Sequence, residues 1–173
     1  MFGDLTLASR TALTATFVGL ISLGAWISIP FVPVPLTLQT FFVLLGGLLL
    51  GRWGFLPPLS YLVLGALGLP VFHNGLAGIG VLLGPTGGFI AGFVAAGLCT
   101  GLAYEQSTRI VRVSGLLLAT LLIHAFGVGW LVLSTGMSLE AALAVGSLPF
   151  LPGDAVKGLA VYSLGDRLRE VSP

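Results

Sequence analysis

Two residues near the end of the chain, Asp154 and Lys157, carry charge where charge needs a reason. They lie in Phe150-Leu-Pro-Gly-Asp-Ala-Val-Lys-Gly158 at the head of an apolar stretch, and Lys157 is the sole lysine of the sequence. A spacing of three puts both on one face of a helix. A charge held at membrane depth costs about 2.5–3.5 kcal/mol on insertion scales, so such groups face a partner or a cavity. Two readings are open: an ion pair that satisfies itself, with Asp154 favoured by a helix N-terminus, or a polar anchor for a small ligand. The two can coexist.

The remaining polar candidates are fewer and weaker. Asn74 sits in a glycine-rich run from Gly68 to Phe89, where an Asn also serves as a turn residue. That run is not a phosphate loop, because no Gly-Lys-Ser/Thr follows. Gly84, Gly88 and Gly92 repeat every four residues with Ala96 continuing the row, the pattern of a helix-packing face. Ala8, Ala12, Ala15 and Gly19 form a second small-residue stripe for contact with a helix of the bundle or of a partner. His124 and His73 are isolated, and a membrane histidine ordinarily hydrogen-bonds across helices. No His, Cys and carboxylate group has metal-ligand spacing, so a metal site is not expected, and no catalytic set stands out. Cys99, the single cysteine, reads as a small hydrophobe.

The elements that position these residues belong to a membrane protein. Of 173 residues, 56% are hydrophobic and 8% charged, with a mean hydropathy of +1.09. Soluble domains carry about 25% charged residues to wet their surface, so lipid is the solvent here. A net charge of +1 argues against a nucleic-acid partner. No cleavable signal peptide is evident.

Punctuation by Pro, Gly and polar residues predicts one membrane domain, residues 1–173, an all-α bundle of six spans with Gly/Pro-rich outer loops. Expected spans are Ser9–Ile29, Leu36–Leu50, Phe55–Pro70, Thr86–Tyr104, Val113–Leu133 and Gly153–Asp166. A short amphipathic helix is expected between Ser134 and Pro149, with Glu140 facing solvent. Spans 2 and 3 are short, about 15 residues or roughly 22 Å, and broken helices at membrane depth imply a cavity within the bundle. All six arginines (Arg10, Arg52, Arg109, Arg112, Arg167 and Arg169) fall at one set of ends, with Asp4, Glu105, Asp166 and Glu170 as their neighbours. Basic loops stay in the cytoplasm, which predicts both termini inside. With no nucleotide motif, the chain is not expected to hydrolyse ATP itself.

Four runs occur in order along the chain: Pro33-Val-Pro-Leu-Thr-Leu-Gln39, Gly68-Leu-Pro-Val-Phe72, Gly84-Pro-Thr-Gly-Gly-Phe89 and Leu151-Pro-Gly-Asp-Ala-Val-Lys157. Together they resemble the BioY family, the biotin-binding S components of energy-coupling factor transporters. The resemblance implies a non-enzymatic subunit that captures biotin from outside a prokaryotic cell membrane. It implies partners as well: a transmembrane coupling protein that meets Ala8, Ala12 and Ala15, and paired cytosolic ATPases. The family's ligand contacts fall on Asp154 and Lys157, and on Asn74 within His73-Asn74-Gly75, which departs from the small residues expected there. Gln39 and Tyr162 are candidates for the cavity wall and lid. Biotin offers ureido N–H donors, a carbonyl, an apolar ring and a carboxylate. Asp154 would accept from an N–H, and Lys157 would donate to the carbonyl or the carboxylate. Competing expectations are a binding subunit for another vitamin, a membrane-embedded enzyme using Asp154 with His124 or His73, or a purely structural bundle.

Overall fold

The computed structural model describes residues 5–171; Asp4 lies outside them. The first helix, α1 (Leu7–Trp26), starts at Thr6, whose side chain accepts from the Ser9 backbone N–H at 3.2 Å, capping an otherwise unpaired donor. The three prolines between residues 30 and 35 exclude helix, and the chain turns back through a two-residue antiparallel ladder. Here β1 (Ser28–Ile29) pairs with β2 (Leu36–Thr37), Ser28 opposite Thr37. Its strands take the last two residues of the first expected span, Ser9–Ile29, and the first two of the second, Leu36–Leu50, so both helices are shorter there than expected.

Next come α2 (Gln39–Leu50), a 3₁₀ turn at Gly51–Trp53 and α3 (Leu56–Ala66), which holds Pro57 and Pro58 in its first turn. After a second 3₁₀ turn, His73–Gly75, follow α4 (Ile79–Leu83), α5 (Gly87–Tyr104), α6 (Arg109–Thr135), α7 (Leu139–Gly146) and α8 (Leu151–Val171). The short α7 matches the amphipathic helix expected in that loop, whereas α4 lies in a segment read only as glycine-rich. Helix α6 begins at Arg109, earlier than expected, so the polar loop after α5 is brief.

Among the described residues, three helices are long and apolar enough to cross a bilayer: α1, α5 and α6. Two bent pairs add to them, α2 with α3 at 113° and α7 with α8 at 52°. Helices α2 and α3 have 12 and 11 residues, roughly 18 and 17 Å, less than the ~30 Å hydrocarbon core. Large apolar side chains such as Leu117, Leu121, Leu133, Val156 and Leu159 face outward, as lipid permits and water would penalise.

Helix α5 is the axis, packed against α2, α3 and α6. Glycine makes that possible. A Cβ on Gly101 would lie 1.7 Å from Gly51 O, and one on Gly97 would lie 2.3 Å from Gly54 O. On the opposite side a Cβ on Gly88 would meet Trp130 Cβ at 2.2 Å, so the Gly88–Gly92 stripe is a packing face against α6. Gly51 itself needs its residue type, with φ at +59°.

The arginines collect at one end of the bundle. Arg10 lies 3.9 Å over the Trp53 ring, and Arg52 grips Glu105 through contacts of 3.0 and 3.2 Å. Those hydrogen bonds hold the Glu105 carboxyl below the usual carboxylate range. Arg112 pairs with Asp166 at 3.4 Å, and Arg169 donates to the carbonyls of Tyr104 and Gln106. Gly101→Ala should therefore lower the thermal unfolding midpoint of the purified protein, at a cost of about 1–3 kcal/mol from overpacking. Gly19→Ala, which meets open space, should not; equal midpoints for the two would refute this account of the α2–α5 contact.

Candidate functional site

At the end opposite the arginines, α8 starts with Leu151 and Pro152, so Asp154 lies in its first turn and Lys157 one turn further on. Both point into the bundle. Asp154 is 6% exposed, and the Lys157 side chain is 16% exposed. Lys157 Nζ donates to Thr37 O at 2.8 Å, to Thr40 Oγ1 at 2.8 Å and to Asp154 Oδ1 at 3.0 Å. The Thr40 hydroxyl, accepting from the lysine, donates its own proton to Asp154 Oδ1 at 3.1 Å. The other carboxylate oxygen, Oδ2, is 3.0 Å from His124 Nε2 on α6. One ion pair thus ties α8 to the hairpin, α2 and α6.

This cluster forms one wall of a cavity of about 50 Å³. Val34, Pro35 and Thr37 of the hairpin segment cover it, Phe89 and Phe93 of α5 face it, and Phe150 closes the side next to α8. Phe150 stacks on Phe89 at 6.4 Å and meets His124 edge-on at 6.4 Å. Gln39 is on the wall too: its Nε2 donates to Tyr61 Oη at 2.8 Å, and its Oε1 accepts from Thr37 Oγ1 at 3.2 Å. His73 lines the same space from its turn, where burial holds its imidazole below the usual range and so favours the neutral ring. Apolar walls with a few convergent polar groups are the usual make-up of a small-molecule site. The volume admits a few waters and falls short of the ~300 Å³ at the low end of ligand pockets. A larger guest therefore needs the hairpin or the aromatic side chains to part.

Of the residues singled out from the sequence, Asp154, Lys157 and Gln39 are brought together here. Asn74 is not on this wall: it is exposed and takes the left-handed conformation, φ 55°, of the 73–75 turn. Its neighbour His73 has the inward place. Tyr162 is also elsewhere, because eight residues of helix separate it from Asp154, roughly 12 Å, and its ring lies under Arg109 at 5.4 Å. Ala8, Ala12 and Ala15 are exposed along α1. Sequence reasoning joined His124 to Asp154 only in the competing enzyme reading, and did not assign Thr40, Tyr61 or the three phenylalanines to the site. His124 is thirty residues from Asp154 in the chain, and no local spacing links them.

Fold and site together define a class: a helical membrane protein that closes a small aromatic pocket, with a buried ion pair, beneath a hairpin at one end. Within that class the chain belongs to the BioY family, whose profile matches residues 3–173. It is 42% identical to the probable biotin transporter BioY of Pyrococcus horikoshii, over 94% of this chain and 97% of that one. Identity to the biotin transporter BioY of Thermotoga maritima is 40%, over 90% and 92% of the two chains. Its structure superimposes on the S-component for biotin from an ECF-type ABC transporter with a TM-score of 0.82 at 25% identity, covering 96% of this chain and 95% of that one.

Removing one partner of a buried pair strands the other. Lys157→Met alone should cost about 3–5 kcal/mol of stability without ligand, read as a lowered unfolding midpoint. Asp154→Asn combined with Lys157→Met should recover much of it. A double variant as unstable as the single one would contradict the pairing.

Proposed function

We propose that this chain is the biotin-binding membrane subunit of an ECF-type uptake system. The observation that carries the reading is the Asp154–Lys157 pair turned into a closable cavity in a member of the BioY family. Relatives called biotin transporters over nearly their whole length support the choice of ligand.

In this reading the chain crosses a prokaryotic cell membrane six times as a single domain, with both termini in the cytoplasm. Helices α1, α5 and α6 supply three spans, α2 and α3 one short span each around the Gly51–Gly54 bend, and α8 the sixth. The arginine end faces inward, in line with the retention of basic loops, and the cavity opens outward. Ligand enters when the hairpin releases from Lys157, whose hydrogen bond to Thr37 O is the tether. Asp154 then accepts from a ureido N–H, Lys157 donates to the ligand's carbonyl or carboxylate, and Gln39 and Tyr61 line the floor. Asn74 joins the site only through a rearrangement of its turn. Phe89, Phe93 and Phe150 bury the apolar ring. The subunit catalyses nothing: a transmembrane coupling protein docks along Ala8, Ala12 and Ala15, and cytosolic ATPases provide the energy.

A second reading, a membrane-embedded enzyme, draws on the His124–Asp154 hydrogen bond and requires a substrate that is turned over. Asp154→Asn and Lys157→Ala should each weaken biotin binding by about 100-fold or more, the scale for truncating one partner of a buried charged pair. Calorimetric titration of the purified variants tests this, with circular dichroism to show that the helices remain. Wild-type affinity in both variants would remove the assignment.

A further inference from the structure

The two ring nitrogens of His124 stand in different circumstances. Nε2 is engaged by Asp154 Oδ2 at 3.0 Å. Nδ1 is buried and has no hydrogen-bond partner, in a residue that is 7% exposed and lines the cavity. Asp154 accepts from Lys157 and Thr40 through its other oxygen, so it is the acceptor of this cluster and Nε2 carries the proton. A neutral imidazole protonated at Nε2 leaves Nδ1 as a bare lone pair. Held beside Ile123, Phe89 and Phe150, an unpaired acceptor is unfavourable until a donor reaches it. Two donors on the same wall are already engaged: Lys157 makes three hydrogen bonds, and the Gln39 amide is bound to Tyr61.

We infer that His124 determines specificity in the ligand site, with Nδ1 accepting an N–H of the bound molecule while Nε2 holds Asp154 in place. The site would then take a ligand with an N–H donor on its ring, such as a cyclic urea. An isostere lacking that N–H would be rejected, because a polar group built into a site discriminates strongly when left unpaired. The inference rests on the biotin reading, in which the only ring N–H groups are the two of the ureido moiety.

Two substitutions separate contact from positioning. His124→Gln keeps a donor at the Nε2 position, able to reach Asp154, and removes the acceptor at the Nδ1 position. His124→Asn does the reverse. The full chain in lipid nanodiscs is titrated with biotin and with two analogues in which one or the other ureido N–H is replaced by oxygen. The unaltered chain should bind biotin about tenfold more tightly than at least one analogue. His124→Asn should retain that preference and His124→Gln should lose it. A preference kept by Gln, or lost by Asn, overturns the contact and leaves positioning alone; if one variant does not fold, the other decides. An unaltered chain that does not bind biotin at all sinks the reading beneath this inference. Binding with unchanged ratios in both variants sinks the inference by itself.

Discussion

The upper half of this molecule depends on one buried ion pair. Lys157 and Asp154 are withdrawn from solvent together, and neither is tolerable there alone. Their hydrogen bonds run to three other parts of the chain: Thr37 at the end of the hairpin, Thr40 on α2 and His124 on α6. Because every one of those bonds is short and every partner is a different element, the pair sets the relative positions of four segments. It also decides what the cavity is. Without the pair the space between α5, α6 and α8 would lose its two charged groups and keep phenylalanines beside Gln39, His73 and His124.

At the opposite end the same currency is used differently. The arginines there are partnered by carboxylates, carbonyls and aromatic faces, several of them partly exposed. Exposed pairs contribute little to stability, on the order of 0–1 kcal/mol each. One end of the bundle thus spreads its charges over partly exposed pairs, and the other buries them beside a cavity.

Between these ends the helices approach more closely than side chains allow. Lipid offers no hydrophobic drive for helices to associate, so packing must come from contact of backbone with backbone. Gly97 and Gly101 against Gly54 and Gly51 supply this on one side of α5, and Gly88 against Trp130 on the other. A rigid axis of this kind allows α2 and α3 to be short and bent. The hairpin is joined to the pair through the Lys157–Thr37 bond and carries Val32 at 86% exposure on its tip.

The sequence by itself determined the solvent, the positions of the long apolar helices and the gathering of the arginines at one set of helix ends. Those follow from composition and local pattern: too few charges to wet a surface, prolines where helices stop, arginines at alternate breaks. It also brought forward Asp154 and Lys157, because a charge within an apolar helix is conspicuous wherever the chain goes. What only the tertiary structure decided is which distant residues share their cavity. Asn74 and His73 are adjacent in sequence, yet a left-handed turn exposes one and leaves the other on the wall. Tyr162 shares a helix with Asp154 and is carried to the arginine end by the helical rise. His124 and Phe89 arrive because α5 and α6 pack through glycines, and Thr40 because the hairpin sets where α2 begins. Periodicity reports which face of a helix a residue occupies. The neighbours of that face are fixed by how helices cross, and nothing in the spacing of residues along one helix encodes that.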